Sequence, residues 1–202
     1  MDPPRQSKAA VGNAAEVGAR VRELRTQRGL SARALAKALG ITPSAVSQIE
    51  RGVRQPSVSR LIAITDALDV PLASVFQTPA GTDAEPPPSG FSLQRADQDS
   101  GVTLASGVVF RRLSPGRVAG VDYFESVYPP GSTAHPEEGL FRHDGHEIGR
   151  MLTGELTIDF DDERVILRPG DAISFPCARA HRIHNTGDVD AVAWWLIVHS
   201  TP

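Results

Sequence analysis

The 202-residue sequence predicts a multidomain α + β protein, with an all-α unit at the N-terminus and an all-β antiparallel sandwich or barrel at the C-terminus. Three observations carry this. Up to Gln77, apolar side chains recur at three- and four-residue intervals, the spacing of one buried helix face. From Phe91 onward, β-branched and aromatic residues alternate or cluster in short runs between Gly, Pro and Asp turns, as in a many-stranded antiparallel fold. Between the two lies T-P-A-G-T-D-A-E-P-P-P-S-G, Thr78 to Gly90, whose prolines favour an extended, stiff linker. The expected organisation is a polar, disordered tail over residues 1–14, a helical domain over 15–77, a linker over 78–90 and a β domain over 91–202.

The helical domain reads as five helices. Val17 to Arg28 places Val17, Val21 and Leu24 on one face and arginines on the other, and Gly29-Leu30 breaks it. Ser31 caps a second helix, Ala32 to Leu39, buried through Leu35 and Leu39 and ended by Gly40. Ile41 bridges by a short turn to the third, which is helix-turn-helix spacing. Thr42 suits its N-cap and Pro43 its first position, where no backbone N–H is needed. Val46 and Ile49, three apart, share its buried face. Ser44, Ser47, Gln48 and Arg51 then fall on other faces, and Gly52 stands where a left-handed C′ residue ends a helix. Small and amide-bearing side chains with one guanidinium are suited to base edges and phosphates, although an ordinary surface helix offers the same types. Ser57 or Ser59 starts a fourth helix to about Leu68, with Leu61, Ile64 and Leu68 inward, and Pro71 to Phe76 offers a short fifth.

The pattern R-x-x-R-x-x-x-G-L-S-x-x-x-L-A-x-x-L-G-I-T-x-S-x-V-S-Q-I-E-R-G, followed by P-S-V-S-R-L-I-A-I-T-D-A-L-D-V, resembles the XRE (phage Cro/C1 repressor) helix-turn-helix domains over residues 16–77. The resemblance implies that Gln48, Ser44 and Pro43, with Thr42 and Ser47 beside them, face bases. It places Ser31, Arg33 and the Arg51–Gln55 loop, with Arg54, against phosphates.

Charge agrees with this division. Residues 1–78 carry 11 Lys/Arg against 6 Asp/Glu, and residues 79–202 carry 10 against 18, so formal charges of +5 and −8 sit on the two halves. Duplex DNA is expected to meet only the first half, although +5 alone would merely keep a domain soluble. Cys177 is the only cysteine, so no intrachain disulfide forms, which fits a reducing cytoplasm. Residues 1–15 hold no apolar signal-peptide core, and the longest apolar run, Ala191 to Val198, is too short to span a bilayer. A cytoplasmic protein without membrane contact is expected.

Strands are expected at Val102–Leu113, Val121–Tyr128, Ile148–Leu152, Glu155–Phe160, Arg164–Leu167, Ala172–Phe175 and Ala191–His199. Two stretches, Pro130 to Leu156 and Leu167 to Asn185, resemble the two cupin motifs. In the first, His143, Glu147 and Gly154 fit a His shortly before a Glu, with a Gly following. In the second, Gly170, Pro176, His181 and Asn185 fit, and Ala178 stands where Gly is usual. The resemblance implies a double-stranded β-helix, or jelly-roll barrel, holding a metal or small ligand inside.

Cupins typically ligate with three His and one Glu, and here the first His position is Phe141. His143, Glu147 and His181 remain, a set able to hold one divalent ion such as Fe(II), Mn(II), Ni(II) or Zn(II) with open positions. His146 is a substitute, since Asp144-Gly145 could turn either His inward. His184 points to the other strand face. The same histidines could equally pack in a metal-free barrel. An effector pocket is expected around Tyr123, Arg142, Phe175 and Trp195 with those three residues, and of the adjacent Trp194 and Trp195 one must face inward and one outward.

Helix-turn-helix plus cupin resembles a one-component transcriptional regulator. The expected reading is a homodimeric repressor whose barrel senses a small-molecule or metal effector and whose paired recognition helices bind a double-stranded operator. No catalytic residue is assigned, since no nucleophile–base pair is evident. The alternative is a metal-dependent cupin enzyme, a dioxygenase or isomerase, carrying an accessory DNA-binding domain. An antitoxin-type module is a third reading, disfavoured by a barrel of this size.

Overall fold

The computed structural model describes residues 11–12, 14–76, 90–95, 101–116, 118–137 and 139–199. The tail expected over 1–14 and the linker expected over 78–90 lie outside the described residues, except for Val11, Gly12, Ala14 and Gly90.

The N-terminal part holds α1 (Ala14–Gln27), α2 (Ala32–Ala38), α3 (Pro43–Glu50) and α4 (Val58–Leu68). Capping side chains fix three of the starts: Ser31, Thr42 and Ser57 each accept the backbone N–H three residues on, at 3.1 Å. Pro43 occupies the first turn of α3. Gly18 lets α1 cross α3 closely, since a Cβ there would fall 2.2 Å from the Ile49 carbonyl oxygen. Val17, Val21, Leu35, Val46, Ile49, Leu61, Ile64 and Leu68 form the helical core. Arg25 closes one edge with a paired contact to Glu50, at 2.5 and 3.1 Å, and a bond to the Leu30 carbonyl.

Four α-helices form among the described residues, one fewer than expected. Leu72–Phe76 winds as a 3-10 helix instead. Five residues after a proline are too few to propagate an α-helix. The free N–H groups of Leu72 and Ala73 are taken by the Asp122 carboxylate at 3.2 and 3.0 Å.

The rest is β: β1 (Val11–Gly12), β2 (Gly101–Thr103), β3 (Val109–Arg112), β4 (Val121–Tyr128), β5 (His146–Thr153), β6 (Leu156–Phe160), β7 (Arg164–Leu167), β8 (Ala172–Pro176), β9 (His181–His184) and β10 (Ala191–Val198). Seven strands make one sheet in the order β1-β2-β3-β4-β10-β5-β8, and three make the other, β7-β6-β9. All pairings are antiparallel except β1 with β2. Isolated bridges from Thr133 to His184 and Phe141 to His181 extend the smaller sheet. The continuous strand expected over Val102–Leu113 is broken by a 3-10 turn at Ala105–Gly107, where Ser106 takes a positive φ of 62°. β5 starts two residues before the expected Ile148, and β9 is the strand implied by the opposite facing of His181 and His184, although it was not among the expected strand spans.

The two parts share one core. Phe76 packs on Phe124 with ring centroids 5.2 Å apart, and Phe124 packs on Phe110 at 5.6 Å. Two backbone bonds cross the junction, Ser59 N–H to the Ala134 carbonyl at 3.1 Å and Ala105 N–H to the Pro56 carbonyl at 2.9 Å. Each large apolar side chain buried in this way contributes roughly 1.5–3 kcal/mol.

Candidate functional site

The first site is the outer edge of α3. Ser31, Arg33, Thr42, Pro43, Ser44, Arg51 and Arg54 are exposed, and Ser47 and Gln48 are half-buried. The Ser31 and Thr42 hydroxyls are committed to their caps. Arg51 Nε donates to the Ser47 carbonyl at 3.1 Å, which folds its guanidinium against the end of α3. The Gln48 backbone carbonyl accepts from Val53 and Arg54, which sets the loop beyond the helix, and its side-chain amide makes no hydrogen bond among the described residues. Gly52 has a φ of 67°, and a Cβ there would fall 2.5 Å from Ala15 Cα, so this turn and its contact with α1 require glycine.

The second site is the barrel centre. Alternation along β5 turns Glu147 inward and His146 outward, and β9 turns His181 inward. His143 arrives from the loop before β5. Nitrogen and oxygen atoms of His143, Glu147 and His181 lie within 4.8 Å of one another, and all three residues are buried. His143 Nδ1–H donates to the Asp144 carbonyl at 3.1 Å and His181 Nδ1–H to the Arg179 carbonyl at 2.8 Å. A carbonyl only accepts, so these bonds place the ring protons on Nδ1 and leave both Nε2 lone pairs turned toward Glu147. His143 Nε2 stands 3.4 Å from Glu147 Oε1, and His181 Nε2 stands 3.9 Å from Oε2. Burial lowers the pKa of His181, which favours the neutral, ligating form. Among the described residues, His143 Nε2 and Glu147 Oε2 are buried with no hydrogen-bond partner. Such orphaned acceptors are costly unless something binds them, so the residues present fit a divalent cation. Cys177 is close, but burial pushes its thiol up to about 12, and it is not in the ligating group.

The structure separates the other expected pocket residues. Trp195 is buried, lines the cavity and donates from Nε1 to Ser126 Oγ at 2.9 Å, while Trp194 lies outside and donates to Glu125. Phe175 is buried edge-on against His181, with centroids 4.9 Å apart. Tyr123 does not line the cavity. It shares the outer sheet face with Trp194 at 6.3 Å, because the inward places on β4 belong to Asp122, Phe124, Ser126 and Tyr128. Arg142 is exposed and paired with Asp161 at 3.2 Å, at the cleft between helices and barrel. His146, the expected substitute ligand, bonds Ser174 on the outer face at 2.7 Å. His184 pairs with Asp159 at 3.0 Å. Although burial pushes the other way, the Arg164 and Arg182 guanidiniums hold the Asp159 carboxyl at about 2.

Sequence reasoning missed that the helical part helps to build this cavity. Val58, Ser59 and Ile62 of α4 line it together with Tyr128, Ala134 and His135. Val58 and Ile62 lie off the α4 face read as core, but nothing local says what covers them.

Residues 21–75 match the helix-turn-helix family model, and residues 124–198 match the cupin domain model. The chain is 30% identical over 173 residues to the HTH-type transcriptional regulator PuuR of Escherichia coli (strain K12), covering 84% of this chain and 87% of that protein. It is 26% identical over 184 residues to the HTH-type transcriptional regulator SutR of the same strain, covering 89% and 92%. A crystal structure of an HTH_3 family transcriptional regulator from Vibrio cholerae shares the fold, with a TM-score of 0.66 at 21% identity over 93% of this chain and 97% of that one. Among the described residues, no helix is long and apolar enough to cross a membrane.

Proposed function

The chain belongs to the HTH-type transcriptional regulators, and from that membership we propose that it binds a two-fold operator as a homodimer and releases or retains it according to a ligand in its barrel. α3 enters the major groove. Gln48 and Ser44, flanked by Thr42, Pro43 and Ser47, face base edges, and Ser31, Arg33, Arg51 and Arg54 meet phosphates. The observation that carries this is the doubly fixed start of α3, with Thr42 as cap and Pro43 in the first turn, which presents Ser44 and Gln48 on a rigid edge. One short helix reads few bases, so two copies are required for useful specificity. Ile148, Trp194 and Val198 are exposed on adjacent strands of the outer sheet face and offer the second copy an apolar seat. The operator is expected to be repressed.

His143, Glu147 and His181 would hold one divalent ion, which would supply a positive centre able to orient an effector. The chain's own part is to fix both imidazoles through their Nδ1 bonds and to exclude bulk water. Selection of bound duplexes from a random DNA library, with and without metabolite extract, tests the reading. Failure to enrich any sequence would overturn it. The same orphaned ligand atoms favour a second reading, a metal-dependent cupin enzyme. Substrate turnover by metal-loaded protein, in the absence of selective DNA binding, would establish that instead.

A further inference from the structure

The space around Glu147 and Trp195 is closed on one side by the helical part. Val58, Ser59 and Ile62, from the first turns of α4, lie across the barrel and line a cavity of about 30 Å³. That is roughly the share of liquid volume taken by one water molecule, whereas sites for organic ligands are about 300–1,000 Å³. As it stands, the space beneath α4 is far smaller than an organic effector occupies.

On the far side of α4 the picture reverses. A cleft of about 520 Å³ opens between α2, α4 and the barrel, lined by the charged groups of Arg60, Asp66 and Arg142. Three residues line both the cleft and the smaller cavity: Ser59, His135 and Phe141. They form the partition between them. Its fastenings all join α4 to the loop after β4. Ser59 Oγ lies 2.8 Å from His135 Nδ1, Ser59 N–H donates to Ala134 at 3.1 Å, and Arg60 Nη2 meets Glu137 at 3.0 Å. Arg60 also donates to the Leu39 carbonyl at the end of α2, 3.2 Å away, so the turn that forms the partition is tied to the helix-turn-helix.

Building on the effector reading above, we infer that the first turn of α4 is the lid of the effector cavity, so that an organic ligand and the seated DNA-binding helices compete for the same volume. The ligand reaches the cavity through the cleft by parting Ser59 from His135. Because Leu61, Ile64 and Leu68 of α4 lie in the helical core, displacing this turn moves the recognition helix with it. Coupling then arises from excluded volume, without a relay through the barrel wall.

The test uses the full chain in two variants. Ser59→Ala/His135→Ala removes one of these fastenings, the Ser59–His135 contact, and adds nothing, while Ala134→Phe adds bulk beneath α4 and imitates an occupant. Both are expected to speed hydrogen exchange at the Ser59 and Ala105 amides, which bond across the junction, by roughly tenfold or more. Both are expected to shift affinity for duplexes selected by the parent by a similar factor. Unchanged exchange in the double variant overturns the lid, as does faster exchange with unchanged DNA affinity. If Ala134→Phe fails to fold, the double variant alone decides. If the parent selects no DNA, the functional reading fails, and the exchange measurement still decides whether α4 is a lid.

Discussion

The ring of Trp195 lies flat over the backbone of Gly149, so close that a Cβ on that glycine would come 2.4 Å from Cζ3. The two residues are paired across β5 and β10, and the indole N–H is held on the opposite side by Ser126. The ring therefore cannot slide away without losing a buried hydrogen bond. Gly149→Ala is expected to destabilise the protein by about 1–3 kcal/mol, the usual cost of overpacking a filled core. Urea unfolding measures it, and an unshifted midpoint would mean that the ring yields freely.

Gln48→Ala is expected to weaken binding to selected operator DNA by about 1–3 kcal/mol, as for a lost bidentate base contact, with little effect on random duplexes. Its side chain is half-buried on α3, and its backbone carbonyl is already engaged. Titrations against both DNA types distinguish base reading from phosphate holding. Equal losses on the two would remove Gln48 from the reading edge.

What the sequence disclosed follows the reach of local rules. Thr42, Pro43 and Gly52 were legible because caps and left-handed turns are settled within a few residues. The opposite facing of Trp194 and Trp195 followed from strand alternation alone. Tyr123 was misplaced because alternation gives parity but not which parity is inward, and its aromatic type suggested a pocket. The neighbours that settle it, Asp122 and Phe124, are both completely buried, and a buried Asp is not an expectation a sequence offers. Asp122 earns its place by binding the backbone N–H groups of Leu72 and Ala73, some 50 residues away. The Ser59–His135 contact joins residues 76 apart and follows no local pattern.

The same Asp122 makes stability depend on pH through His199, whose Nε2 lies 2.8 Å from Oδ2. That hydrogen bond raises the His199 pKa above its ordinary 6.5, burial opposes it, and the charges of Asp122, Asp66 and Asp144 add to the rise. A raised folded-state value means that the protonated imidazole stabilises the folded chain. The contribution is fully present below the unfolded value near 6.5 and is lost as pH rises through the higher folded value. Urea midpoints of the parent and His199→Gln are therefore expected to differ most near pH 6 and to converge at alkaline pH. A gap that widens with rising pH would contradict the assignment.

The barrel centre gives the sharpest contrast among single substitutions. His143, Glu147 and His181 come from a loop and two strands of different sheets, and their ligating atoms converge although, among the described residues, no hydrogen bond reaches His143 Nε2 or Glu147 Oε2. Removing one donor from such a set takes away a coordinate bond, whereas the surrounding core of Phe124, Met151, Leu156 and Ile158 does not depend on it. His181→Ala and Glu147→Gln are expected to lower the affinity for added Mn(II) or Co(II) by at least about tenfold, in line with the loss seen even for residues that only support ligands. Both should keep a cooperative unfolding transition. His146→Ala should bind the ion as the parent does, because its imidazole is spent on Ser174 at the outer face. Glu147→Gln should also be the less damaging change for the metal-free fold, since it removes a buried carboxylate oxygen that no donor satisfies. Calorimetric titration of the three variants measures the affinities. A silent His181→Ala beside a damaging His146→Ala would place the ion elsewhere. Parent protein that takes up no ion, with metal-free stability unchanged by Glu147→Gln, would leave the cluster a packing element.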